Sequence, residues 1–127
     1  MKSWRTALVA FIVDVALVLV FVLIGRRSHA EAETFAGVLD TLWPFLLGLV
    51  LGWLVTLAWR RPLAVAWPGI PLWLMTVAVG MLLREATGQG VQPSFIIVAT
   101  IVLGVFLVGW RLLALPFARR RALRRAA

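Results

Sequence analysis

Four stretches of this chain are too long and too apolar for one another to bury in water. They are Ala7–Ile24, Ala36–Trp59, a stretch within Leu63–Leu83, and Phe95–Leu115. A helix rising ~1.5 Å per residue needs about 20 mainly apolar residues to cross ~30 Å of hydrocarbon. The runs lack the period-2 alternation of membrane strands. They predict an all-α integral membrane four-helix bundle, with spans at about 7–24, 36–59, 68–83 and 95–115. Residues 1–118 read as one four-span domain and 119–127 as a basic cytoplasmic tail. In 127 residues, 63% are hydrophobic and 14% charged, with a mean hydropathy of +1.01. A soluble domain carries nearer a quarter charged, so the lipid bilayer is the expected solvent.

The net charge of +8 is placed for topology rather than for nucleic acid. Lys2 and Arg5 precede span one. Arg60 and Arg61 lie between spans two and three. Arg111, Arg119, Arg120, Arg121, Arg124 and Arg125 close the chain. The other two connections hold only Arg26, Arg27 and Arg84. Ten against three predicts both ends inside the cell, in the cytoplasmic (plasma) membrane. Residues 1–32 also resemble a signal peptide, but the apolar run is long, Asp14 interrupts it and Arg26-Arg27 precedes the small residues. Retention is expected.

Asp14 is the sharpest chemical feature. It lies seven residues beyond Ala7, about 10 Å into the bilayer at helical rise. A charged Asp at mid-span costs ~2.5–3.5 kcal/mol on insertion scales, so it should face the bundle interior. Trp73, Thr76 and Thr100 are at similar depth and are its candidate partners. Two readings compete: a proton or cation site, or polar glue between helices. At the other end, Arg26, Arg27, His29, Asp40 and Arg84 form a candidate outer polar mouth. The competing reading is interfacial pairing that ends the spans.

Gly48-xxx-Gly52 on span two lets a second helix approach closely and reads as packing within the bundle. Trp4, Trp43, Trp59, Trp67 and Trp110 fall near span ends, as interfacial anchors do, while Trp53 and Trp73 are deeper. Trp67-Pro68-Gly69-Ile70-Pro71 should start the third helix, because proline lacks the N–H an interior turn needs. Arg119, Arg120, Arg121, Arg124 and Arg125 should meet anionic lipid headgroups at ~1 kcal/mol each. Arg26 and Arg84, each followed by a Thr-Phe or Ser-Phe pair, hint at an internal duplication. With no cysteine and one histidine, no metal site is expected. No phosphate loop, dinucleotide fingerprint or catalytic triad is present, so no cofactor and no enzymatic activity are expected.

Asp14, the Gly25-Arg26-Arg27-Ser28-His29 stretch, Leu42-Trp43-Pro44-Phe45, Gly52-Trp53 and Gly80-Met81-Leu82-Leu83-Arg84 resemble the DUF3054 family. Its members are small bacterial, largely actinobacterial, and archaeal membrane proteins. The resemblance implies four spans and, the family having no assigned activity, transfers no catalytic residue. The expected role is a non-enzymatic accessory, scaffold or lipid-interacting membrane protein. Its partners would be lipids, a second copy or another membrane protein, and not nucleic acid. The alternative is a small homo-oligomeric transporter or ion-conducting protein using Asp14. An intramembrane enzyme ranks last, for want of a nucleophile.

Overall fold

A computed structural model describes residues 2–28 and 34–126, and among them only helices and turns occur. The helices are α1 (Lys2–Ser28), α2 (Phe35–Thr56), α3 (Ile70–Ala86) and α4 (Pro93–Ala126). Each carries an apolar window long enough to cross a bilayer, the third when counted from Val65. With no water in the hydrocarbon, helices satisfy their own backbone groups, and so these sequences adopt them. The start of α1, the end of α4 and the α2–α3 connection sit at one end of the bundle, here the terminal end. The last turns of α1 and α3, the starts of α2 and α4 and the α3–α4 connection form the hairpin end.

Thr34 caps α2, its hydroxyl accepting from Gly37 N at 3.0 Å. The helix ends at Thr56, three residues short of the sequence expectation. There Leu57 adopts φ 54° and ψ 47°, a left-handed conformation that usually falls to glycine. That turn buries Ala58 completely. The Trp67 indole donates to the Thr56 carbonyl at 3.0 Å, satisfying one of the last-turn carbonyls that a helix leaves unmatched. Residues Val65–Gly69 make a wound turn broken at Trp67 (φ −146°, ψ 120°). Regular α3 follows at Ile70, with Pro71 in its first turn, where a missing N–H costs nothing. Gly88 and Gly90 take positive φ in the α3–α4 connection.

α2 and α3 approach most closely. A Cβ on Gly48 would lie 2.9 Å from the Thr76 carbonyl oxygen and 3.0 Å from its Cα. One on Gly52 would lie 3.3 Å from the Leu72 Cα. The small-residue stripe thus seats α3 inside this chain. Phe21, Phe45 and Phe95 cluster between α1, α2 and α4, with edge-to-face Phe21–Phe45 centroids 5.3 Å apart. α4 differs from expectation, running unbroken through Pro116 to Ala126. The basic segment at 119–126 is the end of a helix of about 50 Å, well beyond one bilayer thickness.

Candidate functional site

Asp14 lies within α1 and is wholly buried. Its partner is Arg111 of α4, equally buried, with which it makes a two-pronged ion pair. Arg111 Nη1 donates to Oδ1 and Nη2 to Oδ2, both at 2.8 Å. Two indoles complete the carboxylate's shell. Trp53 Nε1 donates to Oδ2 at 2.9 Å and Trp110 Nε1 to Oδ1 at 2.8 Å. Phe11 packs edge-on against Trp53, with centroids 5.3 Å apart. The remaining arginine donors turn to backbone: Nε to the Pro62 carbonyl and Nη1 to the Leu107 carbonyl, each at 2.9 Å.

Local geometry explains how an arginine reaches this depth. Side chains on a helix lean toward its N-terminus, so Arg111 points back along α4 into the bundle and not outward past the terminal end. Gly69 clears its path; a Cβ there would stand 3.3 Å from Arg111 Cδ and 3.0 Å from the Ala64 carbonyl oxygen. The guanidinium also lies over the Trp110 ring, 4.9 Å from its centroid.

This geometry limits the chemistry available. Each Asp14 oxygen accepts two hydrogen bonds, and all four come from N–H donors, a set that suits the ionised carboxylate. No lone pair remains for a cation. One turn toward the hairpin end from Asp14, Trp53 and Arg111 stand Val18, Leu49 and Leu107, each wholly buried. The pair is therefore sealed from that end by apolar side chains. It ties α1, α2, α4 and the α2–α3 connection into one latch.

The candidate partners named from depth alone lie elsewhere. Trp73 Nε1 donates to the Thr100 carbonyl at 2.9 Å, and its ring fills the notch left by Gly104. Thr76 and Thr100 donate to carbonyls in their own helices, Leu72 at 2.8 Å and Ile96 at 2.6 Å. None of the three hydrogen-bonds to Asp14, because each finds a backbone acceptor within reach. Charge counting places Arg111 with the cytoplasmic cations, and position places Trp110 with the interfacial anchors; both are turned into the bundle. The sequence does carry a signal for Arg111. It is a single arginine inside an apolar run that continues to Phe117, opposite in sign to the one acid in span one.

At the hairpin end, Arg26, Asp40, Thr41, Arg84 and Gln89 line a half-open cavity of about 740 Å³ whose apolar wall includes Phe21 and Phe95. Arg26 donates to Thr41 Oγ1 at 2.9 Å. Arg84 donates to Gln89 Oε1 at 3.1 Å and lies over Phe95, 4.7 Å from the ring centroid. Asp40 is exposed on the rim. Of the candidate outer mouth, Arg26, Asp40 and Arg84 thus share one cavity. His29 and the Arg27 side chain lie outside the described residues. The two phenylalanines of the suggested duplication differ in setting: Phe35 is exposed, whereas Phe95 is packed in the aromatic cluster. No group of three metal-ligating side chains occurs among the described residues.

At the terminal end, Thr6, Arg61, Leu63, Val65, Trp67 and Leu115 line a shallower groove of about 520 Å³. Trp4, Trp59 and Trp67 are exposed at this end, and Arg5 lies over the Trp4 ring. Arg119, Arg120, Arg121, Arg124 and Arg125 are exposed along the last turns of α4.

The family described as "Protein of unknown function (DUF3054)" matches residues 11–114, which take in α2 and α3 whole, most of α1 and α4, and both members of the ion pair. No curated protein and no solved structure matches the chain.

Proposed function

Because the chain belongs to the DUF3054 family, whose description assigns no activity, we propose from its own chemistry that it is a non-enzymatic accessory protein of the plasma membrane that engages lipid. The observation that carries this reading is the saturation of Asp14. The acid that would have served a proton- or cation-coupled transporter spends both oxygens on Arg111, Trp53 and Trp110, beneath an apolar seal. A buried pair held this way is suited to fixing helix register. Both cavities described above lie at the two ends of the bundle. Those are surfaces for binding rather than machinery for turnover.

Reconstitution tests the reading. In liposomes of phosphatidylethanolamine and phosphatidylglycerol carrying an internal pH dye, the protein should pass protons and potassium no faster than protein-free liposomes. Flux above that baseline, abolished by Asp14→Asn, would establish the transporter instead.

The orientation belongs to the same proposal. With Arg111 paired inside the bundle, nine basic residues still mark the terminal end, against three toward the hairpin end. That bias supports both ends in the cytoplasm. A fluorescent reporter that matures only in the cytoplasm should glow when fused to the C-terminus. A periplasm-active phosphatase giving signal there would reverse the assignment.

A further inference from the structure

We propose that the groove at the terminal end is a discrete site for one anionic glycerophospholipid, with an acyl chain along Leu63, Val65 and Leu115 and the phosphate on Arg61. The proposal rests on the lipid-engaging reading above and names the class of lipid and its seat.

Charge at this end has one sign. Arg5, Arg60, Arg61 and the five exposed arginines of α4 gather here. Of the five acids in the chain, Glu31, Glu33, Asp40 and Glu85 belong to the hairpin connections or the helix ends beside them. The fifth, Asp14, is neutralised by Arg111. Arg61 is exposed at the groove and forms no ion pair among the described residues. An anionic headgroup therefore meets a field with no competing acidic side chain, and a basic pocket beside membrane helices is a recurrent seat for acidic headgroups.

The groove wall is also held in place. Pro62 presents its carbonyl to Arg111 Nε, Gly69 N donates to the Ala64 carbonyl at 3.2 Å, and the Trp67 indole is tied to Thr56. Residues 62–69 are thereby anchored to the latch and to the end of α2. A pre-formed wall loses less entropy on binding than a mobile one. Its apolar lining, next to exposed interfacial tryptophans, suits a chain and a headgroup together rather than a soluble anion.

Native mass spectrometry of the detergent-purified protein, titrated with dioleoyl phosphatidylglycerol or dioleoyl phosphatidylcholine, tests this. One phosphatidylglycerol should be retained in preference to phosphatidylcholine by about five-fold, the factor one arginine–headgroup contact supplies at a membrane surface. Arg61→Gln should remove the preference. Ala66→Trp, which crowds the groove and leaves every charge in place, should lower retention of both lipids. Both positions are exposed, and unchanged circular dichroism would show the variants folded. Replacing the five arginines from Arg119 to Arg125 with glutamine should leave the preference standing. If the preference instead follows those five arginines and ignores Arg61 and Ala66, the discrete site is wrong while lipid engagement stands. If the wild-type protein shows no preference at all, the lipid reading falls with it.

Discussion

Arg111→Met lowers the stability of the folded bundle by about 3–5 kcal/mol, the cost of leaving a buried charge without its counter-ion. The size follows from the surroundings. Asp14 would keep only the two indole donors, in a place with no solvent exposure and, among the described residues, no second ion-pair partner. The Pro62 and Leu107 carbonyls would each lose a donor as well. Folded proteins hold only ~5–15 kcal/mol in reserve, so the variant should accumulate poorly in membranes. Arg111→Lys should recover part of the loss: it keeps the charge but not the planar fork that meets both carboxylate oxygens. Unfolding by sodium dodecyl sulfate from a mild detergent, followed by tryptophan fluorescence, measures these differences. A loss under about 1 kcal/mol for Arg111→Met would match an exposed surface pair and contradict the burial.

A second large effect is expected where α2 meets α3. Gly48→Ala should cost about 1–3 kcal/mol, the range for overpacking a filled interior. The obstruction is backbone, with the Thr76 carbonyl oxygen 2.9 Å from the new Cβ, and backbone cannot swing aside as a side-chain tip can. Gly52→Ala meets the Leu72 Cα at 3.3 Å and should cost less. Gly25→Ala is the control. Nothing lies within 4 Å of a Cβ there, and the position is helical, so stability should hold or rise slightly. The same unfolding assay ranks the three. Equal losses at Gly48 and Gly25 would mean that α2 and α3 do not approach as described.

Hydropathy locates all four helices because membrane insertion depends on summed transfer energy, which a window average captures. The start of α3 is legible for a local reason, since Pro71 is best placed in a first turn, where its missing N–H costs nothing. The end of α2 is not. Leu57 adopts a left-handed turn that its side chain does not favour, and tertiary packing around Ala58 decides it. Asp14 can be singled out by cost alone, but its partners cannot. Depth matching names residues on a similar level, whereas Arg111 reaches its target by leaning back along α4 through the notch at Gly69. Positive-inside counting then works against the pairing, because it assigns any arginine near a span end to the cytoplasm. Trp110 is misplaced for the same reason: its position suggests an interface, and its indole points at a carboxylate.

The coupling between Asp14 and Arg111 is the quantity on which the account turns, and a double-mutant cycle measures it. Asp14→Asn, Arg111→Met and the two together would be unfolded in one detergent system. The amide introduced by Asp14→Asn keeps an acceptor for an indole and carries no charge, so the double variant should be more stable than Arg111→Met alone. The coupling energy should be about 2–3 kcal/mol, the upper range for residues in direct contact. Losses that simply add, within ~0.5 kcal/mol, would show that the two side chains do not meet inside the bundle.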